Sequence, residues 1–403
     1  MNHYFSPNRR RLIEQGLVAG LGVPFMHKSM AQSRSPGASS KERILVVFEL
    51  SGGNDGLNTV VPYGDDTYYR LRPKLGIARD KLRRIDDRFG FHPAMAGFER
   101  LYKDGQLAVV HGCGYERPSF SHFQSMAWWQ TASPNSGSQN GWIGRLADSL
   151  YAPGVATPVV NIDAAQSLAV AGTKHTPLVF EDPSALIRQG EAASQALLTG
   201  VAQNHTSLPE DLAFLRANAR SATDGAQAIG EAIARYKTPV DYGIVPTQLP
   251  KVAALIAAQH SARIYYASYR NNAFDTHVQQ ADVHSRLLTY CSDAISAFFK
   301  DMQRIGRAQD CSMLVFSEFG RRPRENNNRG TDHGTAGPMF LIGPGVRGGL
   351  HGAPVDLNKL NETDNLTHTV DFRQVYASVI DQWMGGDSRA VLGKGFDPLK
   401  LYT

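Results

Sequence analysis

Short apolar runs recur along the chain, each closing in a glycine-rich or polar loop. They are Ile44–Phe48, Leu107–His111, Pro158–Ile162, Ile264–Tyr269, Met313–Phe316 and Pro338–Ile342. Runs of this length without polar alternation predict strands covered on both faces. Helical spacing lies between them: Pro93–Asp104, ended by Gly105 as a C-cap, then Ser125–Thr131, a long amphipathic helix after His277 reaching about Gln303, and Asp371–Met384. Strands alternating with helices predict an α/β fold with a mostly parallel central sheet. Residues 184–261 break the pattern, being rich in Ala, Gln and Glu with helical periodicity over Pro209–Tyr236 and Leu249–Ser261. They read as a helical insertion or cap packed on the main sheet.

In open α/β sheets, ligand and catalytic groups gather at the carboxyl ends of the strands. The loops leaving these runs carry acids, imidazoles and hydroxyls. After the first run, Gly52-Gly53-Asn54-Asp55-Gly56 forms a tight turn that presents Asp55, with Glu49 as the alternative acid. After the second, Ser119-Phe120-Ser121-His122 enters a helix, where a serine either caps the helix or acts as a nucleophile at its positive end. Asp275-Thr276-His277 follows the fourth run, and His284 lies two helical turns on, free to face the strand end or the core. The fifth opens into Ser317-Glu318-Phe319-Gly320 and, after an Arg- and Asn-rich loop, Gly330-Thr331-Asp332-His333-Gly334.

Oxygen and imidazole donors without thiolate suit Zn²⁺, Mn²⁺ or a harder divalent ion. A metal beside a helix-capped serine lowers the hydroxyl's pKa and holds the oxygens of a phosphoryl or sulfuryl group. Arg117, Arg321, Arg322 and Arg324 are near these motifs, and a guanidinium binds an oxyanion bidentately. Gly343-Pro344-Gly345-Val346-Arg347-Gly348 formally matches a dinucleotide fingerprint, but the residues after it do not begin a helix, so no nucleotide cofactor is expected.

Composition narrows the setting. The 403 residues, 42% apolar and 20% charged, are those of a globular protein with a full core. The net charge of +5 is modest, and no basic run with interleaved aromatics exists, which argues against a nucleic-acid partner. Arg9-Arg10-Arg11-Leu12-Ile13, the apolar run Leu17–Met26 and Ser29-Met30-Ala31 have the arrangement of a twin-arginine leader. Residues 1–31 are therefore expected to be a signal peptide read by the twin-arginine translocase, 32–42 a linker, and 43–403 one exported domain in the periplasm or beyond. The apolar run is shorter than the ~20 residues of a membrane span. Three cysteines leave at least one unpaired within the chain; Cys291 with Cys311 is the candidate bridge, and without a CxxC pair no zinc-thiolate site is expected.

The order strand–Asp, Ser at a helix start, Asp-x-His, strand–acid, then His resembles the alkaline phosphatase-like superfamily of phosphatases and sulfatases. Within it, the motifs resemble an exported bacterial family named as domain of unknown function number fifteen hundred and one. The matching pieces are the leader, Gly52–Pro62, Ser121–Phe123, Phe274–Gln280, Ser317–Asn326, Gly330–Gly334 and Asp371–Tyr376. The resemblance implies a three-layer αβα fold and a hydrolase of small anionic phosphate or sulfate esters with one or two divalent ions. It implies Ser121 as nucleophile, with Ser119 a rival, and Arg321 assisting. Asp55, Asp275, His277 and His333 resemble the metal ligands, joined by His122, Glu318 and Asp332, while Arg117 and Asn326 are placed at the substrate. Two departures stand out: Glu318 replaces the usual Asp, and Phe319 sits where a histidine ligand is expected, so that one metal is missing, held loosely, or completed by His122 or Asp332. A non-catalytic periplasmic binding or assembly protein on the same fold is the alternative reading. A metal-free Ser/His/Asp hydrolase is a further one, against which the absence of a G-x-S-x-G turn counts.

Overall fold

The computed structural model describes residues 43–152, 157–184, 225–269 and 271–403. The expected leader and linker, 1–42, and the greater part of the expected helical insertion lie outside the described residues. Of that insertion, residues 225–235 are helical, and a further helix covers Gln248–Ala257.

Nine strands form one sheet: β1 Ile44–Leu50, β2 Leu107–Gly114, β3 Val159–Ile162, β4 Leu178–Val179, β5 Ile264–Tyr269, β6 Cys311–Phe316, β7 Gly337–Ile342, β8 Gly349–His351 and β9 Val370–Asp371. Their order is β8-β2-β7-β6-β1-β5-β3-β4, with β9 beside β2. Only β7 runs against its neighbours; the remaining pairings are parallel. The covering helices are α1 Ala96–Lys103, α2 His122–Thr131, α3 Trp142–Leu150, α4 Gln248–Ala257, α5 Gln280–Arg304 and α6 Phe372–Ser378.

The pleat of β1 divides the core. Ile44, Val46, Phe48 and Leu50 join one buried cluster with residues of α1, α4 and α5. Leu45 and Val47 join the other with α2, α3 and α6. A strand covered on both faces has to be apolar at successive positions, which is why its sequence reads as an unbroken run. The α/β class and the mostly parallel sheet are as expected, in three layers.

β1 lies between β5 and β6, with Val47 opposite Tyr266 and Leu314. Leu50, Tyr269 and Phe316 therefore end on one edge, together with the end of β2. Four loops meet there. The three cysteines are free and buried, so the candidate bridge between Cys291 and Cys311 is not formed. Among the described residues no helix is long and apolar enough to cross a membrane.

Candidate metal centre

The first loop turns on glycine. Gly52 and Gly53 adopt φ of 116° and 71°, and a Cβ on Gly52 would stand 2.6 Å from the Asp275 backbone nitrogen. Only a residue without a side chain lets this loop lie against the next one. At the end of the second loop, Ser121 is the N-cap of α2 but makes no side-chain capping bond, and His122 is the first helical residue.

His122, Asp275 and His333 each present a donor atom within 4.8 Å of the others, an arrangement able to hold a metal ion. Asp275 Oδ1 is 3.4 Å from His122 Nε2, 3.1 Å from His333 Nε2 and 2.9 Å from His277 Nε2. The opposite nitrogen of each ring meets oxygen. His122 Nδ1 is 2.8 Å from Glu318 Oε1, His333 Nδ1 donates to the Phe120 carbonyl at 2.7 Å, and His277 Nδ1 is 3.3 Å from Asp332 Oδ1. A carbonyl only accepts, so His333 carries its proton on Nδ1, and a carboxylate favours the same tautomer in the other two. Three Nε2 lone pairs then converge on an anionic oxygen, and His277 Nε2 and His333 Nε2 stand 2.9 Å apart. One positive charge already borders them: Arg321 Nη2 is 2.7 Å from Asp275 Oδ1 and its Nη1 3.4 Å from His277 Nε2.

The neighbours pull each group in its own direction. Burial pushes the Asp275 carboxyl upward, but the Arg321 hydrogen bond and charge, with His333 and His277, hold it down at about 2. Burial lowers His122, and the hydrogen bond and charge of Glu318 outweigh it and raise the ring above its ordinary value. His333 stays below the ordinary value because burial dominates. His122 Nε2 is buried with no hydrogen-bond partner. Carboxylate-backed imidazoles with an unused Nε2 are the usual surroundings of a histidine metal ligand, and N/O donors fit Zn²⁺ or Mn²⁺. The residues fit the ion.

Other expected site residues occupy different places. Glu318 is fully buried, accepting from the Gly52 backbone N–H at 2.8 Å as well as meeting His122, so it backs a ligand. Asp332 backs His277 in the same way and also accepts from Asn326 Nδ2 at 3.0 Å. Asn326, expected at the substrate, is committed to its own loop, donating also to the His277 carbonyl and accepting from the backbone N–H groups of Asn328 and Gly330.

Arg321, expected to assist catalysis, lies buried behind Asp275. It donates to Asp275 Oδ1 at 2.7 Å and to the carbonyls of Gly52, Gly53, Phe274 and Thr331. Asp55 is outside the cluster. Its Oδ2 pairs with Arg72 Nη1 at 2.6 Å in full burial, and Gln280 donates to the same oxygen, while Oδ1 has no partner. Burial raises the Asp55 carboxyl, and Arg72 more than cancels this, leaving it below the ordinary range.

Arg117 is exposed on the loop before α2. Ser119 Oγ donates to Gln124 Oε1 at 2.7 Å and accepts from the Ser121 backbone N–H, whereas Ser121 is exposed at the helix start between the carbonyl that orients His333 and the ligand His122. His284 is buried, its Nε2 2.9 Å from Asn54 Oδ1, and faces the core rather than the cluster. Phe319 packs its ring 4.9 Å from His122 and 4.8 Å from His333, filling space where a further imidazole was looked for. Sequence reading had not singled out Arg72, Gln280 or the Phe120 carbonyl. Their roles depend on tertiary partners and leave no local signal.

No curated protein matches the chain. Among solved structures, similarities include the lipoteichoic acid synthase LtaP from Listeria monocytogenes (9% identity, 77% of this chain and 68% of that one, TM-score 0.35). A protein in the alkaline phosphatase superfamily from Vibrio parahaemolyticus aligns at 10% identity over 77% of this chain and 62% of that one, with a TM-score of 0.34. The PsFucS1 sulfatase from Pseudoalteromonas sp. aligns at 10% identity over 89% and 70%, with a TM-score of 0.39. Likeness this distant says nothing of activity. Residues 246–394, which hold Asp275, His277, Glu318, Asp332 and His333, match the model of the family described as "Protein of unknown function (DUF1501)".

Proposed function

We propose that the protein is a metal-dependent hydrolase of phosphate or sulfate esters, with Ser121 as nucleophile. The observation that carries this is the convergence of His122, His333 and His277 Nε2 atoms on Asp275 Oδ1, each ring backed by oxygen on its other nitrogen. His122, Asp275 and His333 would hold one divalent ion, with His277 beside them. An ion bound there supplies the charge that lowers a hydroxyl's pKa and grips the non-bridging oxygens of the ester.

The chain's own groups prepare that chemistry. Glu318 and the Phe120 carbonyl fix the imidazoles in the tautomer that leaves Nε2 free. Arg321 keeps Asp275 ionised. Ser121 is the N-cap of a ten-residue helix, and a developing oxyanion is favoured at that positive end, which supports its choice as nucleophile. Exposed Arg117, on the loop before α2, would meet an anionic group on approach. Export through the twin-arginine route is part of the same reading, supported by Arg9–Ala31.

Among the described residues there is one such cluster rather than two: Arg72 neutralises Asp55, and Phe319 packs against both the His122 and His333 rings. It supports a single ion, and it also favours the second reading, a binding protein that keeps the ion without turnover. Metal-loaded protein assayed on phosphate and sulfate esters separates them. Ser121→Ala is expected to lower kcat by orders of magnitude while metal stoichiometry stays the same. Turnover unchanged by that substitution removes Ser121 from the mechanism, and no turnover at all with metal bound leaves the binding protein.

A further inference from the structure

A cavity of about 570 Å³ is enclosed by parts of residues 56–70, 88–89 and 354–366 together with β2 and β7. That volume is in the range of sites for small molecules. None of His122, Asp275, His277 or His333 lines it. Arg321 alone belongs both to its wall and to the hydrogen bonds that hold Asp275. The cavity is thus a place apart from the imidazole cluster, and the hydrolase reading makes no use of it.

Its lining defines what it would take. Leu57, Val60, Phe89, Pro338, Leu357 and Leu366 supply apolar wall, which favours an apolar body. His111 belongs to the same wall and is 7% exposed, and its Nε2 is buried with no hydrogen-bond partner. Buried polar atoms are paired as a rule. An orphan nitrogen in the wall of a cavity is accounted for when a ligand atom supplies the missing partner.

The charged residues of the lining are unevenly matched. Asp66 is paired with Arg79 at 2.6 Å, and Asp65 Oδ1 accepts the Thr67 backbone N–H. Arg70 and Arg88 are both exposed. Arg70 donates to Thr67 Oγ1 at 2.6 Å, and Arg88 lies with its Cζ 5.0–5.5 Å class of contact over the Phe89 ring, 5.3 Å from the centroid. Among the described residues no carboxylate pairs with either guanidinium. Two guanidinium charges against the one carboxylate of Asp65 leave a surplus of one, which suits a monoanion better than a dianion. The Phe89 ring is also 4.6 Å from that of His111, so guanidinium, aromatic ring and imidazole make one continuous stretch of wall.

We propose that this cavity is a binding site for a small monocarboxylate with an apolar body. Arg88 and Arg70 draw the carboxylate, Leu57, Val60 and Leu357 cover the body, and His111 hydrogen-bonds to the ligand.

The test is calorimetry on the metal-loaded full chain with the straight-chain carboxylates from acetate to octanoate. Octan-1-ol and octylamine present the same body without the anion. Affinity is expected to rise about two- to fourfold per methylene, and octanoate to bind about tenfold or more tightly than either control. Arg88→Ala, at an exposed position, is expected to weaken octanoate about tenfold, the scale of one charge-assisted hydrogen bond. Val355→Trp, on the half-buried wall, is expected to abolish binding by filling the cavity, with metal stoichiometry unchanged in both variants. No octanoate binding, equal affinity along the series, or binding unmoved in both Arg88→Ala and Val355→Trp overturns the proposal. Binding that vanishes on chelation of the metal yet survives Val355→Trp places the carboxylate on the imidazole centre and overturns it too. These are binding measurements, so their outcome is independent of whether any ester is hydrolysed.

Discussion

Two carboxylates at the strand ends, Asp55 and Glu318, illustrate how burial alone does not define a ligand. Asp55 is held by Arg72, whose Nε and Nη2 also donate to the carbonyls of Pro323 and Arg322. Removing one member of a buried ion pair leaves a desolvated charge and costs about 3–5 kcal/mol. Asp55→Asn is therefore expected to lower unfolding free energy on that scale in denaturant titration, with metal stoichiometry unchanged. Loss of bound metal from a still-folded Asp55→Asn would instead make its unpartnered Oδ1 a ligand. Glu318 gives the complementary case. It orients His122 without reaching the Asp275 cluster itself, and outer partners of this kind typically change metal affinity by about 10–100-fold. Titration of Glu318→Gln with Co²⁺ is expected to show weaker binding of that order at an unchanged number of ions. Unaltered affinity would show that His122 needs no such support.

At the scale of elements, the structure depends on how closely α1 and α5 approach. Gly97 of α1 faces Ser292 of α5, and a Cβ there would stand 2.3 Å from the Ser292 carbonyl oxygen and 2.8 Å from Ser296 Cβ. Alanine would gain about 1 kcal/mol in helix propensity, yet a backbone oxygen cannot swing aside, and overpacking costs about 1–3 kcal/mol. Gly97→Ala is expected to destabilise by up to about 2 kcal/mol in thermal or denaturant unfolding; an increase in stability would mean the helices can part freely.

The central elements were legible because their environment is uniform. Ile264–Tyr269 coincides with β5, and the runs at 44–48 and 313–316 needed only their flanking residues added, since strands covered on both faces must be apolar throughout. Very short pieces such as Val60–Val61, Gly349–His351 and Val370–Asp371 carry too few residues to show a period. Asp371–Met384 reads as one helix but is α-helical to Ser378 and a π-helix from Val379 to Met384, a change of winding that leaves the apolar spacing nearly intact. His122, Asp275 and His333 were all visible as donors at strand ends. What distinguishes them from Glu318, Asp332 and Asp55 is which oxygen or guanidinium stands behind each, and that is decided by residues up to 266 positions away, as in the Gly52–Glu318 hydrogen bond.

For the whole molecule, four buried groups away from the cluster contribute to the response to acid. Burial holds His284 at about 3 against the partial upward pull of Asp55, and His92 at about 4 with the same neighbour. Burial likewise holds His111 at about 4, between Asp86 on one side and Arg88 and His351 on the other. These rings are neutral when folded and take up protons on unfolding, so the stability they lend is present above about 6.5 and is lost as pH falls towards 4. Glu49 acts in the opposite sense. Burial, aided by the Glu318 charge, raises it to about 7, so it is protonated in the fold and favours the native state below that value, fully so by its ordinary 4.5. Between pH 6.5 and 4.5 unfolding thus gains three protons at histidine and loses one at Glu49. The net uptake of two at these four groups contributes a fall in stability of about 3 kcal/mol per pH unit at its steepest. Denaturant titrations at intervals from pH 7.5 to 4.5 should show that decline. His111→Phe should remove about half of that contribution, because the ring packed 4.6 Å from Phe89 is kept while the Nε2 that has no partner is removed. An unchanged slope in that variant would mean His111 is already protonated in the native fold, and the balance between imidazoles and Glu49 would have to be sought elsewhere in the core.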